Sequence, residues 1–135
     1  MAGVIPTCLA LILCDRVGRF RGTRKASPVG VFTAFDLRRI PGSTPSFTVW
    51  VQAENAAGPL LMSLVFERAL PDRPAFKEEL TIRFTMKFKN SNLVAEHANV
   101  FEDGIDVTDE GLYRLRLEVG GATIMSRHFV VRRVP

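Results

Sequence analysis

The sequence predicts a single all-β domain over residues 1–135, an antiparallel sandwich of about seven to nine strands. Three features predict it. First, Leu80, Ile82, Phe84, Met86 and Phe88 alternate with Thr81, Arg83, Thr85, Lys87 and Lys89. A helix would scatter those five apolar side chains around its circumference, so the period of two marks a half-buried strand. Second, the stretch from Asp109 to Val131 holds two strand-like runs around Gly120-Gly121, a pair that supplies positive φ in a tight hairpin turn. Third, turn residues recur at the spacing of all-β domains, and no segment outside the weakly patterned 93–101 invites a helix of ten residues.

Composition supports a core that needs no disulfide: 47% of residues are hydrophobic and ten are Phe. The net charge of +4 is mild, short of a nucleic-acid-binding composition. Cys8 and Cys14 are six residues apart in one apolar run. On a strand they share a face about 20 Å apart, beyond disulfide reach, so free thiols and a cytoplasmic protein are expected. The run is too short to span a bilayer and has neither a preceding basic region nor a small-x-small cleavage site, so neither membrane insertion nor export is expected.

Residues 7–14, apolar on both faces, suggest a central strand covered on both sides, although periodicity alone does not separate it from a short buried helix. Residues 15–25 carry five basic residues and two glycines and read as an exposed loop or edge hairpin. A second strand is expected over 29–37, then a Pro- and Gly-containing loop over 38–45. In 47–54, Phe47, Val49, Val51 and Ala53 turn inward, which puts Trp50 on the opposite face. The turn at 55–59 leads into 60–67, with Leu60, Met62, Leu64 and Phe66 inward. Pro71 and Pro74 break the chain before the 80–88 strand, and a short strand is expected around 97–101.

The closing hairpin contains a conflict. A tight Gly120-Gly121 turn pairs Tyr113 with His128 and Leu115 with Ser126, sending Phe129 and Val131 outward. Each large apolar side chain gains roughly 1.5–3 kcal/mol on burial, so that register is unfavourable. One extra residue flips everything after it, and a β-bulge is therefore expected between Met125 and His128, with Arg127 in solvent.

Asp109-x-Gly111-x-Tyr113 resembles the tyrosine corner of immunoglobulin-like sandwiches, with Leu115 at the core position two residues on. That motif favours a sandwich over a barrel. Two larger blocks are Leu9-x-Leu11-Ile12-Leu13-Cys14-Asp15 with Gly30-Val31-Phe32, and Gly111-x-Tyr113 running through Gly120-Gly121 to Phe129-x-Val131. Together they resemble an uncharacterised bacterial family catalogued as a domain of unknown function. The resemblance implies an immunoglobulin-like β-sandwich and supplies no catalytic residue.

No nucleophile elbow, phosphate-cradling loop or His-x-x-x-His motif occurs, so no catalytic residue, metal or cofactor is expected. The expected function is a non-catalytic binding or structural module acting through contact with a protein partner. Homo-oligomers through sheet edges are an open route. Partner-binding candidates are Trp50, as an outward anchor unless another segment covers it, and Arg16, Arg19, Phe20 and Arg21. Two alternatives remain. Polyanion binding through 16–25 requires Arg16, Arg19, Arg21, Arg24 and Lys25 to share a face with Arg83, Lys87 or Lys89, though nucleic acid is not the expected partner. An enzyme or metal site requires His97 or His128 to join the acidic loop 102–110.

Overall fold

A computed structural model of the chain describes residues 5–19, 22 and 25–135. Twelve strands run through those residues: β1 (Thr7–Cys14), β2 (Arg16–Arg19), β3 (Ala26–Val29), β4 (Ala34–Leu37), β5 (Gly42–Ser43), β6 (Phe47–Glu54), β7 (Gly58–Ala69), β8 (Phe76–Phe88), β9 (Ala95–Phe101), β10 (Asp106–Val107), β11 (Gly111–Val119) and β12 (Ala122–Arg133). A three-stranded sheet, β1-β6-β9, packs on a five-stranded sheet, β4-β12-β11-β7-β8. Two small ladders, β2-β3 and β5-β10, stand outside them. The count exceeds seven to nine because it includes these short pieces. All ladders are antiparallel except β4 with β12.

The alternating runs form the core. Phe47, Val49, Val51 and Ala53 of β6 face Met62, Leu64 and Phe66 of β7, Phe84, Met86 and Phe88 of β8, and Tyr113, Leu115 and Leu117 of β11. Phe35, Phe47, Phe66 and Phe129 pack edge to face through the centre, at centroid distances of 5.1 Å (Phe35–Phe47), 6.3 Å (Phe47–Phe66) and 6.3 Å (Phe66–Phe129). At one end the Tyr113 hydroxyl donates to the Asp109 carbonyl at 2.7 Å, while the ring stacks on Phe129.

Of the three register shifts among the described strands, one lies in β8 at Glu79 and two bear on the expected faces. In β12 the register shifts between Thr123 and Met125, leaving Ile124 as the extra residue opposite Leu117 and Glu118. The expected bulge therefore exists but lies nearer the turn than the 125–128 segment. After it Phe129 pairs with Tyr113, so Phe129 and Val131 are buried and Ser126 and His128 face out. Arg127 is exposed, but it pairs with inward-facing Leu115, and its Nε donates to the Leu11 carbonyl of the other sheet.

The second bulge, at Leu9 in β1, overturns the shared cysteine face. Cys8 pairs with inward Ala53, whereas Cys14 pairs with outward Thr48. Both thiols are free, and Cys14 donates a weak hydrogen bond to the Thr48 carbonyl. β1 is also an edge strand rather than a central one.

Arg16–Arg19 and Ala26–Val29 pair as the β2-β3 hairpin, which lies over the outer face of β1 and β6 rather than along an edge. The expected 29–37 strand is split after Val29. Gly30 has φ of +70°, and a Cβ there would collide with the Asp15 carboxylate. Glycine alone lets the hairpin fold back so tightly.

The outer face of the five-stranded sheet is charged. Glu67, buried on β7, accepts from Arg114 and Arg116, and Arg116 also reaches Glu118 at 2.7 Å. This lattice covers Val65, which would otherwise be an apolar residue on a wet face.

Candidate functional site

A concave surface that gathers basic side chains lies where β8 ends and β9 begins. Alternation on β8 turns Phe84, Met86 and Phe88 inward and leaves Lys87 exposed, with Lys89 beyond the strand. The chain then reverses at Asn90, whose side chain accepts from the Asn92 amide and whose carbonyl accepts from the Leu93 amide. This Asx-type turn delivers Leu93 and Val94 to the surface, 48% and 47% exposed. From the other side the β2-β3 hairpin brings Arg19 over Glu96 at 4.0 Å. Arg19, Lys87, Lys89, Leu93, Val94, Ala95 and Glu96 line a groove of about 540 Å3.

Three cations against one carboxylate make the groove electropositive. Neither Lys87 nor Lys89 has an ion-pair partner among the described residues. The Arg19–Glu96 pair is long and exposed, so it contributes little and is easily exchanged for another anion. Glu96 is also held by Gln52 at 3.2 Å, which fixes the negative point on the groove wall.

The other sequence candidates are dispersed. Arg16 lies on the exposed side of the hairpin, lining a smaller hollow with Gly18, Arg19, Ser27 and Val29. Phe20, Arg21 and Arg24 lie outside the described residues. Trp50 is corrected: it faces outward, opposite to Val49 and Val51, but the hairpin covers it and leaves it 6% exposed. It packs the hairpin down instead of anchoring a partner.

His97 and His128 lie on different sheets and do not meet. His97 stacks on Phe84 at 4.8 Å, and burial pushes its imidazole below the ordinary value. His128 stacks on Phe76 under Arg114. In the acidic loop, Asp106 accepts from Ser43, and Asp109 pairs with Arg68 at 2.9 Å. Among the described residues no three His, Cys, Asp or Glu side chains are placed to hold a metal ion. No helix among them is long and apolar enough to cross a membrane.

Sequence reasoning named Arg19 with Lys87 and Lys89 only as the condition for a shared basic face, and it missed Leu93 and Val94. The available signal was that apolar pair directly after a polar turn, where a strand's own pattern does not explain it.

A model described as a family of unknown function, DUF6941, matches residues 9–132. No curated protein sequence matches. Among solved structures, the alkylpurine DNA glycosylase AlkC of Pseudomonas fluorescens, bound to DNA containing an abasic site analog, is similar at 12% identity and TM-score 0.50, covering 94% of this chain and 30% of that one. An immunoglobulin-like protein from Pseudomonas aeruginosa is 15% identical at TM-score 0.46, over 98% of this chain and 100% of that one. A β-glucosidase from Listeria innocua is 11% identical at TM-score 0.48, over 75% and 15%. The chain thus spans less than a third of the glycosylase and of the glucosidase. The likeness to the glycosylase shows the fold alone. Together with the two packed sheets and the Tyr113 corner, it makes this an all-β sandwich of the immunoglobulin type.

Proposed function

The chain belongs to DUF6941, a family of unknown function, and from that premise we propose that it is a non-catalytic binding module whose groove takes an acidic segment of a protein partner. One observation carries the reading: Arg19, distant in sequence, joins Lys87 and Lys89 in one groove with the exposed Leu93 and Val94. Exposed apolar side chains in the lining reward a partner that brings apolar surface with its carboxylates. A phosphate backbone brings charge alone and meets Glu96 inside the groove. The same joining of Arg19 to Lys87 and Lys89 supports nucleic acid as the second reading, since it sets three cations side by side.

Fluorescence anisotropy separates the two. The probes are a labelled peptide of alternating Glu and Val and a labelled oligothymidine. The proposed function predicts peptide binding that weakens at least about tenfold, roughly 1.4 kcal/mol, in Lys87→Glu/Lys89→Glu. Preferential oligothymidine binding, lost in the same variant, establishes the second reading. Binding of neither probe overturns both.

A further inference from the structure

Resting on the groove reading, we propose that the acidic segment binds as an added β-strand along the free edge of β9. β9 packs over β8 at the Phe84 end, where Phe84, Met86 and Phe88 are buried, but cover thins toward the other end of the inner face of β8. Leu80 and Ile82 on that face are only half-buried, although their parity is that of core residues. A fourth strand beside β9 would extend cover toward them, up to the hollow that Leu80 shares with Asp103, Gly104 and Ile105.

The other edges are closed or defended. Along β1, the Leu11 carbonyl accepts from Arg127 and the Leu13 carbonyl accepts from the Phe32 amide. β8 carries Lys77, Glu78, Glu79, Arg83 and Lys87, charges of the kind that discourage strand addition. β4 is only four residues long. β9 differs: Ala95-Glu96-His97-Ala98-Asn99-Val100-Phe101 has no lysine, arginine or proline, and among the described residues it pairs with β6 alone. Val100 on it is 62% exposed. Asn99, on its inner face, has a buried Nδ2 without a hydrogen-bond partner, and an added strand would bring carbonyls within its reach.

The groove sits at the Ala95 end of this edge. A strand antiparallel to β9 therefore ends its course at Lys87, Lys89 and Arg19. Its inward side chains are apolar, against Leu80 and Ile82, and its C-terminal residues are acidic. Main-chain hydrogen bonds supply affinity and the basic end supplies direction.

The test uses the whole chain and a labelled peptide of alternating Thr and Val ending in three Glu. In an antiparallel ladder every second peptide N–H bonds the neighbouring strand. N-methylation of alternate residues in one phase should weaken binding about tenfold or more, while the other phase leaves it unchanged, and β9 amides should gain hydrogen-exchange protection in the complex. Equal effects of the two phases overturn the added strand. If Lys87→Glu/Lys89→Glu still weakens binding in that case, the groove reading survives. A phase difference without any effect of charge reversal keeps the strand and removes the groove. Absence of binding overturns both. A dimer with protected β9 amides in the free protein also overturns the proposal, because the edge then belongs to a second copy.

Discussion

At Tyr113 the ring and the hydroxyl do separate work. The ring is buried against Phe129, and the hydroxyl satisfies the Asp109 carbonyl at 2.7 Å. Burial also raises the phenol above its ordinary value, so it remains a neutral donor. Tyr113→Phe keeps the packing and removes the donor, and should cost on the order of 1–3 kcal/mol if the carbonyl is left unpaired. The midpoint of urea unfolding measures it, and an unchanged midpoint would show that water replaces the hydroxyl. The thiols behave similarly. Burial raises both Cys8 and Cys14 above the ordinary thiol value. Native protein near neutral pH should therefore react slowly with iodoacetamide, with half-buried Cys8 ahead of Cys14, and the unfolded chain should take two labels. A fast native reaction at Cys14 would mean that the hairpin does not cover it.

Among the elements, alternation was legible and its interruptions were not. β6, β8 and β11 have the faces their sequences imply, because one large apolar residue at every second position admits one burial pattern. The bulge in β12 was legible as a necessity, from Phe129 and Val131, but not as a position: any extra residue between the turn and Phe129 restores the face. The Leu9 bulge left no trace, since residues 7–14 are apolar throughout and a slip changes nothing in their pattern. The groove was legible only as a condition, that the 16–25 segment share a face with Lys87 or Lys89, and not as a fact. Arg19 meets Lys87 and Lys89 only because the hairpin folds over β6, a tertiary event that no local period reports. Deleting Ile124 should return Phe129 and Val131 to solvent, at roughly 1.5–3 kcal/mol for each side chain. It should thus destabilise far more than Ile124→Ala, as read by thermal unfolding. Trp50, the single tryptophan, reports on the hairpin. Replacing residues 16–29 by a short Gly-Ser turn should red-shift its emission and open it to iodide quenching. Unchanged emission would show that another segment covers it.

The whole molecule is lopsided, and the two sides of the sandwich differ in how they respond to acid. On the closed side Arg127 and Phe32 tie β1 to its neighbours, whereas on the open side β9 meets β8 with His97 stacked on Phe84. Burial holds the folded His97 imidazole below its ordinary value of 6.5. The unfolded chain therefore binds more protons in that window, and stability rises with pH through it. Stability from the neutral imidazole is fully present above about pH 6.5 and is lost as pH falls toward the lowered folded value. Urea midpoints should decline between about pH 7 and pH 5, and they should decline less in His97→Phe, which keeps a ring on Phe84 without a titrating group. Carboxylates titrating in the same range affect both proteins alike, so the difference between them isolates His97. Hydrogen exchange should locate the loss on the open side, with β9 amides released first and those of β7 and β11 last. Identical acid profiles for the two proteins would show that His97 leaves its stack without penalty, and the open side would then owe its closure to Phe101 against Phe47 and Phe66 instead.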